Sequence, residues 1–226
     1  MSTNVLEPCP IPEGINTDYL KGRLLNYFDE ERMEVNPGNL QIEPGRSEYW
    51  IAKATEGKRV GAGSEGTDVI TPRDEGIDAT CLCIASTNAT NEKSLCQGLE
   101  VSKELANYFE GPNKDADKAT EIFKNAFSEK LRQVKDKFSL KVLYLLAFIS
   151  SKTTVRVICF RYNLDNMTHI SSAGFTTAEK SIHLANVIDA IYGNVKLYSS
   201  KNRIELRLTK AAWEHPYSVE VFKLAK

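Results

Sequence analysis

The chain has 226 residues, 42% of them hydrophobic, a net charge of −1 and five cysteines. That length and apolar content suit one compact domain spanning residues 1–226. The odd cysteine count argues against a disulfide framework. The first residues carry no basic patch followed by an apolar stretch of the secretory kind. The longest apolar run, Val142 to Ile149, is too short to cross a bilayer. The expected setting is therefore reduced, cytoplasmic and without a membrane.

Residues 1–15 hold three prolines and no periodicity, so they read as an irregular N-terminal arm. A first helix is expected over Thr17 to Arg32, with Leu20, Leu24, Leu25 and Phe28 as its apolar stripe. Asn36-Pro37-Gly38 and Pro44-Gly45 mark turns, and a short helix after Ser47 carries Tyr49, Trp50 and Ala54. The glycine-rich segment from Gly61 leads to Asp68, the turn-rich hexapeptide Thr71 to Gly76, and an apolar run from Ile77 to Ala85 with strand character.

Glu92 to Phe109 has helical spacing through Leu95, Leu99, Leu105 and Tyr108. Lys114 to Lys137 has it more clearly, through Ala119, Ile122, Phe123, Ala126, Phe127 and Val134. Lys141 to Ser150 and Thr153 to Tyr162 read as strands joined in a hairpin. Thr176 and Glu179 have the spacing of a capping box, which predicts a helix over Thr177 to Tyr192. Val195 to Ser199, Arg203 to Thr209 and Tyr217 to Leu224 alternate with period two. The expected class is α/β, with a mixed central sheet flanked by helices.

Charge is segregated along the chain. Residues 1–113 carry 10 Lys and Arg against 19 Asp and Glu, residues 114–138 carry 7 against 5, and residues 139–226 carry 12 against 6. An acidic half suited to a cation and a basic half suited to a polyanion fit a metal-dependent enzyme acting on nucleic acid. They fit equally a soluble surface on which charge has segregated by chance.

The acids concentrate the chemistry. Asp68 and Asp78 flank the hexapeptide, and two carboxylates converging from a hairpin would offer hard oxygens to Mg²⁺ while leaving positions open for a phosphate. Lys93 would position an attacking water or stabilise developing phosphate charge, and Glu65 and Glu92 are carboxylates available as a further ligand or base. The same aspartates also suit the flanks of a Pro- and Gly-containing turn. Cys81, Cys83 and Cys96 lack the paired spacing of a zinc site and read as reduced thiols. His169, His183 and His215 lie in no local catalytic signature.

Thr67-Asp68-Val69-Ile70, the strand from Ile77, and the triplet Asp78-Ala79-Thr80 make this stretch resemble the PD-(D/E)XK nucleases found among restriction endonucleases. That family places an acid on one strand of a hairpin, an acid, a spacer and a lysine on the next, and then a helix. The resemblance implies a restriction-endonuclease-like fold and a Mg²⁺-dependent endonuclease cutting double-stranded DNA, in a restriction system and as a homodimer. Thr80 stands where the family has lysine, so Lys93 would have to reach in from the start of the following helix.

The C-terminal strands offer a second candidate surface. With Ile204, Leu206, Leu208, Val195 and Leu197 facing a core, Arg203, Glu205, Arg207, Lys196 and Tyr198 would face outward beside Lys201, as phosphate and base contacts. The alternative throughout is a non-enzymatic α/β module that binds nucleic acid or protein, with the acids as turn residues.

Overall fold

The computed structural model describes residues 2–30, 40–43, 45–60, 67–91, 93–94, 102–176, 180–198 and 203–224. The chain forms a mixed α/β structure built on two sheets. The first contains β1 (Leu6–Cys9), β2 (Lys58–Arg59), β3 (Val69–Ile70), β4 (Glu75–Cys83), β6 (Val142–Ser150), β7 (Thr154–Tyr162) and β12 (Val219–Lys223). Its order is β1-β7-β6-β4-β3-β2, and β12 shares the outer side of β7 with β1. β4 and β6 run parallel over their whole lengths, and their connection includes α4 (Ala116–Lys137).

The second sheet is antiparallel, in the order β5-β11-β10-β9-β8. Its strands are β5 (Lys93–Ser94), β8 (Ser171–Phe175), β9 (Ile182–Ala185), β10 (Gly193–Tyr198) and β11 (Arg203–Leu208). Shorter helices are α1 (Thr17–Glu30), α2 (Arg46–Ala54), α3 (Ser102–Ala106) and α5 (Lys210–Trp213).

The alternation of β4, β6 and β7 builds two cores. Ile77, Ala79, Leu146, Phe148, Val155 and Val157 face Leu20, Leu24 and Phe28 of α1 and Trp50 and Ile51 of α2. On the opposite face Leu82, Leu145, Ala147, Ile158 and Phe160 share a core with Phe123, Phe127 and Leu131 of α4 and with the apolar side of the second sheet. Asp115 caps α4, its side chain accepting from the amides of Asp117 and Lys118.

Three expectations are corrected. The predicted arm contains β1, paired antiparallel with β7; Pro8 is tolerated there because β1 is an edge strand. The helix predicted over residues 92–109 is β5 at Lys93–Ser94 and α3 at Ser102–Ala106, with 95–101 outside the described residues. The helix predicted from Thr177 to Tyr192 is replaced by β9, where buried Ile182 and Leu184 alternate with half-buried His183 and Ala185. Val195 of β10 lies opposite Leu184, so pairing with that strand outweighs the helical spacing. Glu179 of the predicted capping box lies outside the described residues, and the Thr176 amide donates to the Ser181 carbonyl at 2.9 Å.

Gly57 fixes the passage from α2 to β2. A Cβ there would lie 2.6 Å from the Ile70 carbonyl oxygen, a backbone atom that cannot swing aside. Gly22, on the exposed side of α1, has nothing within 4 Å of a built Cβ. Gly57→Ala is expected to cost about 1–3 kcal/mol, whereas Gly22→Ala should gain about 0.5–1 kcal/mol. Urea unfolding midpoints with unchanged slopes would check both.

Candidate functional site

The acids meet because of how one hairpin closes. Thr71 and Glu75 close a short loop, the Thr71 amide donating to the Glu75 carbonyl at 2.9 Å and the Asp74 amide to the Thr71 carbonyl at 3.1 Å. Pro72 suits the first corner, and Asp74 takes the left-handed conformation (φ 61°) that ends such a loop. The resulting register pairs Val69 with Ile77 and Ile70 with Gly76. Just beyond these pairs the Asp68 amide donates to the Ile77 carbonyl at 2.9 Å, and the Ala79 amide holds the Asp68 carboxyl where it senses the charge of Asp78.

Lys93 arrives by a second reversal. The Ala85 amide donates to the Ala89 carbonyl at 2.7 Å, with Asn88 in the left-handed region (φ 58°). Asn91 then holds Cys83 from both sides, accepting from its amide through Oδ1 at 2.9 Å and donating its own amide to the Cys83 carbonyl at 3.0 Å. Beyond it, Lys93 pairs with Leu206 of β11 and so lies on the core side of the second sheet. Its ammonium crosses to the first sheet and donates to Asp78 Oδ1 at 3.1 Å, with side-chain exposures of 19% for the lysine and 16% for the aspartate. The lysine thus reaches the acids from a strand and not from a helix start. Thr80, in the position the family gives to lysine, is buried.

Asp68 lies deepest in the electrostatics. Burial pushes its carboxyl up to about 7, and the neighbouring Asp78 charge adds to the rise. The Ala79 amide, donating to Asp68 Oδ2 at 2.8 Å, and the more distant Lys93 work in the opposite direction. Glu48 adds a smaller upward push. Sequence reasoning missed this third acid. It projects from the first turn of α2, pairs with Arg59 of β2 at 2.7 Å, and its only signal in sequence was an acid beside the buried Trp50 and Ile51. The neighbouring Cys81 thiol is pushed up to about 11 by burial, against a hydrogen bond from Ser47.

Glu65, Glu92 and Lys201 lie outside the described residues. Among the described residues, no group of three or more His, Cys, Asp and Glu side chains is gathered as a metal site. The second candidate surface is corrected in one respect. Glu205, expected to face outward, is 4% exposed, and the cross-strand pairs Lys196–Glu205 and Arg207–Asn194 place it within the basic row. Lys196, Tyr198 and Arg207 are half-buried, and Arg203 pairs with Tyr198 on the adjoining strand. His183, opposite Lys196, is held below its ordinary pKa by burial and then by the lysine's charge. This row occupies the side of the second sheet opposite the one that carries Lys93, so the structure does not bring it together with the acids.

No protein family, curated protein or solved structure matches the chain. Among the described residues, no helix is long and apolar enough to cross a membrane. The cluster itself defines what the site can do chemically. It holds a proton on a carboxyl near neutral pH, and it presents a second carboxylate and an ammonium to the same point.

The raised Asp68 pKa sets a direction for stability. Between the ordinary carboxylate range and pH 7, the folded chain keeps a proton that the unfolded chain has released. Stability from this group is therefore lost as pH rises through that interval and levels off above it. Asp68→Asn keeps an acceptor for the Ala79 amide and removes the charge. Its melting temperature is expected to exceed the wild type's by several degrees at pH 8, where the wild type carries the unfavourable charge, and to match it near pH 4. Calorimetric scans across that range would check the crossover.

Proposed function

We propose that the chain is a metal-dependent endonuclease, similar in fold and site to the PD-(D/E)XK nucleases, that hydrolyses phosphodiester bonds in double-stranded DNA. One observation carries the reading: the Ala79 amide holds the Asp68 carboxyl close to Asp78, and Lys93 reaches Asp78 from a separate strand. Acid, acid and lysine are the groups the resemblance asks for, assembled in space although the triplet Asp78-Ala79-Thr80 lacks the lysine. A central mixed sheet with helices packed on both faces supports the same family.

The two carboxylates fit Mg²⁺. They are hard oxygen donors forced together, and Asp68 holds a proton that a cation would displace. Such an ion, when bound, supplies charge to a phosphate oxygen and acidity to a water. Asp68 and Asp78 would hold it, with Glu65 as a further ligand. The Lys93 ammonium, fixed by Asp78, would orient the attacking water or offset charge on the phosphoryl oxygens, and Glu92 would accept a proton. Lys196, Tyr198, Lys201, Arg203 and Arg207 serve this reading as contacts remote from the cut bond, on flanking duplex or in a two-fold homodimer.

A second reading has its own support. Asp68 is bonded to the Ala79 amide, Asp78 to Lys93 and Glu48 to Arg59, so the cluster could equally staple a non-enzymatic binding module together. Incubation with total genomic DNA, with and without Mg²⁺, separates the two. Cutting by the wild type should require the metal, vanish in Asp78→Ala, and fall by on the order of 10²–10³-fold in Lys93→Met. Intact DNA in every lane would refute the nuclease, and retained DNA binding would then favour the module. Mg²⁺ should also raise the melting temperature more at pH 8 than at pH 5.5, because at the lower pH it competes with the Asp68 proton.

A further inference from the structure

Away from the acids, two cysteines share one rung of the first sheet. Cys9 of β1 and Cys159 of β7 are directly opposed in an antiparallel pair. Residues so paired have Cα atoms about 4.5–5.5 Å apart, within the roughly 4.4–6.8 Å that a disulfide spans. Both side chains lie on the α1–α2 face of the sheet, Cys159 fully buried and Cys9 part-exposed.

The two thiols influence each other, and their unequal burial makes the pair asymmetric. The Cys159 thiol draws the Cys9 thiol below its ordinary pKa, against burial and with help from the Arg161 charge. Burial holds Cys159 well above its own. Tyr144 and Glu75 are the other ionisable groups that sense the pair. An accessible, acidified sulfur beside a protonated, buried one is the arrangement of an attacking and a resolving cysteine. The other described cysteines lack it: Cys81 is kept a thiol, and Cys83 accepts from the Ser150 hydroxyl at 3.1 Å.

We infer that Cys9 and Cys159 form a hydroperoxide-sensitive pair that closes into a disulfide across β1 and β7. The Cys9 thiolate attacks the outer oxygen of hydrogen peroxide, the O–O bond breaks, and Cys9 sulfenic acid and water result after one proton is taken up. The Cys159 sulfur then attacks the Cys9 sulfur and loses its proton, the S–O bond breaks, and a second water leaves. Two thiols and one peroxide become one disulfide and two waters, with two electrons passing from sulfur to oxygen.

The bond would fix a strand that joins distant parts of the chain. The amides of Val5 and Leu6 donate to the carbonyls of Asn186 and Val187 at 3.0 and 2.7 Å, while Val5 accepts from the Asn163 amide at 2.7 Å. Oxidation would therefore lock β1 between the first sheet and the segment that leads into β10.

The test uses the reduced full-length chain, exposed to hydrogen peroxide, alkylated and digested with trypsin without reduction. The expected product joins the peptide ending at Lys21 to Val157–Arg161, lighter by two hydrogens than the separate peptides. Cys159→Ser should leave a sulfenic acid on Cys9 that a cyclic 1,3-dione traps, and Cys9→Ser should leave Cys159 alkylated as a free thiol. Three results would overturn the assignment: both cysteines recovered free while other cysteines oxidise, Cys9 advancing to sulfinic acid with no cross-link in the wild type, or a link between two chains.

Discussion

An ammonium from one sheet and a carboxylate from the other meet at 3.1 Å, and the acid pair depends on that contact. The hairpin brings the Asp68 carboxyl, held by the Ala79 amide, close to Asp78, where two negative charges oppose folding. Two devices relieve the repulsion. Lys93 neutralises Asp78, and Asp68 retains a proton into the neutral range. Removing the lysine would leave carboxylates in a poorly solvated place with no counter-charge, which costs more than such a pair contributes when intact. A sequence that gathers like charges in its interior breaks the rule that local choices should support the fold, and such breaks concentrate at functional sites.

The scaffold makes the arrangement rigid. β4 is held along its whole length by β6, and the hairpin with β3 hangs from its other side. The turn at Ala85–Ala89 sends the chain back towards the second sheet, so that Lys93 is anchored by backbone pairing to β11 as well as by its charge. The ion pair therefore couples the hairpin to the second sheet, and a shift in the packing of either would move the ammonium relative to the acids.

Much of this was legible in the sequence. The stripe of α4, that of α1 apart from the exposed Leu25, the β6–β7 hairpin and the period-two strands β10 and β11 follow from spacing, whereas a bulge between Glu220 and Phe222 breaks the alternation expected of β12. Ile182, Leu184 and Ile188 fit both a helix and a strand, and only the presence of β10 alongside decides for β9. Pairing between distant segments was not legible. β1 against β7, β4 parallel to β6, and Lys93 beside Leu206 depend on surfaces made elsewhere in the chain. The acids could be singled out from turn chemistry and residue type, but Glu48 could not, because its relation to Asp68 exists only once α2 has packed beside β4. The burial of Glu205 escaped for a related reason, since alternation along β11 tells which face a residue takes and not what covers that face.

The protonation of Asp68 is the most direct expression of this account. Chemical-shift titration of side-chain carboxyl carbons in ¹³C-labelled protein should find Asp68 titrating at about 7 in the wild type. In Asp78→Asn, which removes the opposing charge, it should titrate lower. An Asp68 carboxyl that titrates in the ordinary carboxylate range in the wild type and does not move in the variant would contradict a buried acid pair at this site.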